Sequence, residues 1–117
     1  MAKHVQANFT LSIDRGGAEL KAKEAIQRDM TGFVFQELTL ETTTTPTPIP
    51  YGDVTSPGYL MVTNLGTGTV RVRLSGASNP FAEMAEGQFC FVPTKQSGME
   101  IYCVTGTCWA LVRLIED

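Results

Sequence analysis

One histidine, one tryptophan and three cysteines in 117 residues leave few of the side chains that catalysis most often uses. The lone histidine, His4, falls within the first few residues, where chains are commonly mobile. A Ser-His-Asp or Cys-His arrangement would have to take its base from there. A zinc site ordinarily recruits four Cys or His ligands at tight spacing, whereas Cys103-x4-Cys108 has no second ligand pair and Cys90 lies on another strand segment. The glycines form no phosphate cradle: Gly66-Thr67-Gly68 lacks a third glycine and a following helix, and no Gly-Lys-Ser/Thr occurs. The 12 carboxylates are scattered singly apart from Glu116-Asp117, so spacing marks no acid and base pair. No enzyme activity, cofactor or metal is expected.

Positive charge is also scarce. Nine Lys and Arg against 12 Asp and Glu give a net charge of -3, which offers no broad attraction to a phosphate backbone or an anionic membrane surface. Arg71 and Arg73 share one strand face, a stripe that suits a solvated face or an intersubunit salt bridge better than a nucleic-acid platform. No run approaches the ~20 apolar residues of a membrane-spanning helix, and the longest candidate, Trp109 to Ile115, is interrupted by Arg113. Neither nucleic acid nor membrane is expected as a partner. The first residues lack the apolar segment and small-residue cleavage site of a secretory signal, so synthesis in a cytoplasm without general export is expected. An odd number of cysteines in a chain of this size argues against a disulfide framework, and reduced thiols are expected.

What is present is folding information. Apolar residues make up 43% of the chain and charged residues 18%, a composition of folded domains, and the length suits one core. Residues Val5 to Ile13 alternate, with Val5, Ala7, Phe9, Leu11 and Ile13 on one face, and Asp14-Arg15-Gly16-Gly17 supplies a turn. Ala18 to Met30 is ambiguous: Leu20, Ala22 and Ile26 fit a strand face broken at Glu24, while its good helix formers fit a helix, and the β neighbours favour an irregular strand. Phe33 to Thr42 alternates again and is rich in aromatic and β-branched residues.

Composition then changes. Thr42-Thr43-Thr44-Thr45-Pro46-Thr47-Pro48-Ile49-Pro50 should be extended and unable to sit inside a sheet, because proline removes backbone donors. The segment 42–57 reads either as a solvated loop or as an arm laid over a neighbouring subunit. Beyond it, Gly58 to Asn64 and Thr69 to Ser75 read as a hairpin, Phe81 to Met84 as a short edge strand, and Gly87 to Val92 as a further strand. Met99 to Val104 and Thr107 to Ile115 read as a closing hairpin joined at Thr105-Gly106. In that hairpin Cys103 would face Cys108 closely enough for a disulfide; in a reducing cytoplasm the expectation is two thiols packed side by side. Eight or nine short antiparallel strands in a single domain, 1–117, predict an all-β, jelly-roll-like sandwich.

The last strand has two apolar faces, Trp109, Leu111 and Ile115 on one and Ala110, Val112 and Leu114 on the other, with Arg113 as the exception. A sandwich strand normally has one wet face, so either a loop or residues 18–30 covers the second, or an oligomer interface does. Pro46, Pro48, Ile49, Pro50, Trp109, Leu111, Arg113 and Ile115 are accordingly the candidate assembly residues.

The series Asp29-x-Thr31-Gly32, a Thr-rich middle, Ser56-Pro57-Gly58-Tyr59 leading to Val62-Thr63-Asn64-Leu65-Gly66, then Glu86-Gly87 and a final Leu114-Ile115-Glu116-Asp117, resembles small structural proteins of tailed bacteriophages. The likeness covers most of the chain and is carried by turn and strand residues. It departs from that group at Leu65-Gly66-Thr67-Gly68, where an Asp would follow the Asn, and in its cysteine-bearing hairpin. The resemblance implies a β-sandwich virion component, a dimer or trimer that contacts the major capsid protein or other virion proteins, of the capsid decoration or cement type. A tail, neck or baseplate part shares the same features. A carbohydrate- or receptor-binding sandwich, stacking sugars on Tyr51, Tyr59, Tyr102 or Trp109, is the alternative of another class. A metal oxygenase on the same fold would need histidines that are missing.

Overall fold

The computed structural model describes residues 5–28, 35–55, 57–93 and 98–116, all of them strand, turn or loop. His4, Met30, Phe33, Val34, Ser56 and the Asp29-x-Thr31-Gly32 motif lie outside the described residues. The chain divides into two compact units, residues 1–31 and 32–117. Ten strands are present among the described residues, against the eight or nine expected.

The first unit is an antiparallel hairpin, β1 (Val5–Arg15) and β2 (Ala18–Arg28), in which Val5 pairs with Arg28 and Arg15 with Ala18. Gly16 and Gly17 both have positive φ, 61° and 86°, which the tight two-residue turn demands and which matches the twist of the strands. The ambiguous segment from Ala18 is thus strand as far as it is described. Helix formers such as Glu24 and Ala25 are held extended because each residue of β2 has a ladder partner on β1, and pairing outweighs intrinsic preference. Ala7 lies beside Ile26 and Leu11 beside Ala22, while Glu24 interrupts the apolar face opposite Phe9.

The second unit holds eight strands: β3 (Phe35–Thr42), β4 (Thr47–Pro48), β5 (Pro57–Asn64), β6 (Val70–Leu74), β7 (Ala82–Met84), β8 (Phe89–Pro93), β9 (Met99–Cys103) and β10 (Cys108–Glu116). They form two antiparallel sheets, ordered β3-β10-β5-β8 and β4-β9-β6-β7. Counted within the unit, one sheet takes the first, eighth, third and sixth strands and the other the second, seventh, fourth and fifth. This is the jelly roll. Every connection but β6 to β7 carries the chain from one sheet to the other.

Two expected hairpins are therefore corrected. Residues 58–64 and 69–75 belong to opposite sheets, as do residues 99–103 and 108–115. Gly-rich turn residues signal that the chain reverses; they carry no information on which sheet receives it. The reversals stack on one another at one end of the sandwich, where Val104 N donates to Thr69 O (2.9 Å), Leu65 N to Trp109 O (2.9 Å) and Cys103 N to Thr43 O (2.7 Å).

The core follows from alternation. Leu60 and Val62 of β5, Ala110, Val112 and Leu114 of β10, Val70 and Val72 of β6 and Ile101 and Cys103 of β9 all face inward and are buried. Burying each branched side chain stabilises by about 1.5–3 kcal/mol before entropy is counted. Two polar side chains sit among them with their needs met. Asn64 Nδ2 donates to Gly68 O (3.0 Å) and Met84 O (3.1 Å) while Oδ1 accepts from Gly66 N (3.1 Å), and Thr42 Oγ1 donates to Ile101 O (3.3 Å).

The Thr/Pro segment is integrated into this unit. Thr47 and Pro48 pair with Ile101 and Glu100 at a sheet edge, where a residue with no N–H is tolerated. Ile49 N donates to Met99 O (2.9 Å), and the Ile49 and Val54 side chains are core residues, Ile49 only 3% exposed. Gln36 Nε2 donates to Pro50 O and fastens the following turn.

Candidate functional site

The two sheets present unlike outer faces. On the β4-β9-β6-β7 sheet the outward residues are charged and already paired within the chain: Arg71 Nη2 lies 2.9 Å from Glu83, Arg73 Nε lies 3.0 Å from Glu100, and Arg73 lies over the Tyr102 ring. Glu100 also accepts from Gly76 N (3.2 Å), so Arg73 and Glu100 are fixed by the turn as well as by each other. The arginine stripe is neutralised within the chain, by an exposed pair at Arg71 and a partly buried one at Arg73.

The outer face of the β3-β10-β5-β8 sheet is apolar. Register places Phe35 beside Ile115 and Ile115 beside Tyr59; in the next row Glu37 is beside Arg113, Arg113 beside Met61 and Met61 beside Phe91. Thr39, Leu111, Thr63 and Phe89 form the third row, and Glu41 flanks Trp109 in the fourth. Phe35 is 73% exposed, Phe89 49% and Trp109 47%. Tyr59 is buried and stacks on Phe91 with ring centroids 5.6 Å apart, which fixes the β5 and β8 side of the face. The one charged pair on it, Arg113 Nε to Glu37 Oε2 at 2.6 Å, is solvent-exposed and contributes at most about 1 kcal/mol. These exposed rings set the face apart from the charged, internally paired face of the other sheet.

The structure separates the eight candidate assembly residues. Trp109, Leu111, Arg113 and Ile115 share the apolar outer face. Pro48 stands in the row of Glu100 on the other sheet, Pro46 and Pro50 belong to the adjoining turns, and Ile49 is inside the core and unavailable to a partner. Phe35, the most exposed ring among the described residues, lies outside the eight candidates: the sequence shows its alternation with Glu37 and Thr39 but does not place β3 next to β10. Of the possible sugar-stacking rings, Tyr59 is buried, Tyr51 and Tyr102 are partly buried, and Trp109 is exposed.

Other features are minor by comparison. A shallow depression at the β7–β8 turn is lined by Glu83, Gly87, Gln88 and Phe89, and Glu83 is engaged by Arg71. Among the described residues no group of three His, Cys, Asp or Glu is placed to hold a metal. No helix among them is long and apolar enough to cross a membrane.

Cys103 and Cys108 form a disulfide, which corrects the expectation of paired thiols. The two residues end β9 and begin β10 with Cα atoms 5.7 Å apart, and because these strands lie in opposite sheets the bond joins the two layers of the sandwich. Cys90 is the free cysteine; it sits on β8 facing the core, and burial pushes its thiol pKa up.

Fold and surface together define a jelly-roll domain with one charged, internally paired face and one apolar, aromatic face. No protein-family model matches the chain, and no curated protein matches it either.

Proposed function

We propose that the protein is a non-enzymatic structural component of a tailed-bacteriophage virion, a decoration or cement protein that self-associates and binds the outside of the capsid lattice. The observation that carries this reading is the apolar outer face bearing Phe35, Leu111, Trp109 and Ile115, a surface whose burial against protein releases water. A decoration protein acts by adding buried area across joints between shell subunits, where many copies acting together resist internal pressure. The sequence resemblance supplies the particle. The buried disulfide is in keeping with a working life outside a reducing cytoplasm, since released virions meet oxidising surroundings. A tail, neck or baseplate position would use the same surface.

Light scattering on the purified chain, followed by co-sedimentation with phage shells stripped of accessory proteins, tests the proposal. A dimer or trimer that pellets with shells supports it; a monomer that stays in the supernatant removes it. A sugar-binding module is the second reading, because Trp109 is an exposed ring beside Glu41, and selective binding on a glycan array would favour it.

A further inference from the structure

Cys103 and Cys108 are buried, each 1% exposed, at the end of the sandwich where the loops 65–69 and 104–107 meet. Each sulfur has a main-chain carbonyl nearby: Cys103 Sγ is 3.2 Å from Thr105 O, and Cys108 Sγ is 3.8 Å from Thr69 O. A disulfide has no proton to give these oxygens, whereas a thiol does, so each cysteine has an acceptor within reach when reduced. A Cβ at residue 68 would come to 3.0 Å from Cys108 Sγ and 3.8 Å from Cys103 Sγ; glycine there lets the loop pass beside the sulfurs and adopts the φ of 88° found at that position. The corner is also held by bonds that do not involve sulfur, from Cys103 N to Thr43 O, Val104 N to Thr69 O and Leu65 N to Trp109 O.

We propose that Cys103 and Cys108 are a redox clasp: the jelly roll forms with both thiols reduced, and oxidation afterwards locks its two sheets together at one end. The oxidant is a low-molecular-weight disulfide such as oxidised glutathione. One cysteine thiolate attacks a glutathione sulfur, giving a mixed disulfide and releasing one reduced glutathione. The second thiolate then attacks the protein sulfur of the mixed disulfide, closing Cys103–Cys108 and releasing the second glutathione. Two electrons pass to the glutathione disulfide, and the two cysteine protons end on the two released thiols. Reagents reach the sulfurs by opening of the exposed 104–107 loop, and reduction needs the same opening, so the closed clasp persists in mild reductant. Cys90 takes no part, since the edge strand β8 places it opposite Val62, which is level with Val112 and well along β10 from Cys108.

The full chain purified in a phosphine reductant is compared with the same chain treated with oxidised glutathione. Both samples are expected to give one far-UV circular dichroism spectrum and the same dispersed pattern of backbone amide NMR signals away from the 103–108 corner. Alkylation after denaturation should find three thiols in the reduced sample and one in the oxidised sample. Closing so short a loop should raise the folding constant on the order of 40-fold, seen as a melting temperature roughly 10 °C higher. An unfolded reduced chain would make the bond a requirement for folding and end the proposal, as would failure of glutathione to close it or equal melting temperatures. The C103S/C108S double variant should melt with the reduced chain and ignore oxidant; an oxidant-dependent shift in that variant would place the effect elsewhere and overturn the assignment. Should that variant not fold, the two forms of the natural chain still decide the matter.

Discussion

The hydroxyl of Thr42, on the edge strand β3, donates to the carbonyl of Ile101 on β9, tying one sheet to the other through the interior of the sandwich. Both residues are buried, so the bond is protected from water. Thr42→Val keeps the shape and removes the donor. It should lower stability by about 1 kcal/mol, read as a lower urea midpoint with an unchanged slope.

Asn64 has a larger role. Its amide serves Gly68 O, Met84 O and Gly66 N at once, so it connects the end of β5 to the following loop and to β7. Asn64→Ala strands three buried or half-buried main-chain groups and should cost roughly 2–4 kcal/mol. Hydrogen exchange at the Gly66 amide should accelerate beyond the change expected from the global loss of stability.

The apolar outer face permits a separation of stability from assembly. Phe35 and Trp109 are solvent-facing, so Phe35→Lys and Trp109→Lys should each leave the unfolding free energy within about 0.5 kcal/mol of the parent. On the proposed function the same variants should lose self-association and shell binding. Arg71→Ser on the opposite face should retain both, and loss of shell binding in that variant alone would move the contact to the charged sheet.

Cys90 gives a pH dependence of known sign. Burial raises its folded-state thiol pKa above the unfolded value of about 8.5. The folded state then holds its proton where the unfolded state releases it. This contribution is fully present below the unfolded pKa and is lost as pH rises through the folded pKa. Between pH 7.5 and 9.5 the urea midpoint should fall more in the natural protein than in Cys90→Ala, and the native thiol should react with a disulfide chromogen more slowly than free cysteine.

Much of the fold was legible because alternation is local. The pattern Trp109, Leu111 and Ile115 against Ala110, Val112 and Leu114 assigns the two sides of β10 from the sequence alone, and the structure finds Ala110, Val112 and Leu114 in the core. The Gly16-Gly17 turn was equally plain, since few other residues adopt its backbone angles. Pairing was not legible: Thr105-Gly106 looks like a hairpin turn, yet β9 and β10 part into different sheets, and only long-range contacts decide this. For the same reason the sequence could not place Phe35 beside Ile115. The disulfide is not legible either, because the redox state of two facing cysteines depends on their surroundings as well as on their spacing. The prolines misled in a milder way, as they bar the middle of a sheet and leave its edge open.

The position of β10 between β3 and β5 has a consequence for the order of events during synthesis. Phe35 and Tyr59 each find their sheet neighbour in Ile115, so neither β3 nor β5 is paired across that gap until residues 108–116 have left the ribosome. Until then, two strands with apolar faces stand without their common partner, and loop-closure entropy delays the pairing that would cover them. The chain therefore completes this sheet only once β10 is available, and until then the apolar faces of β3 and β5 lack the strand that lies between them.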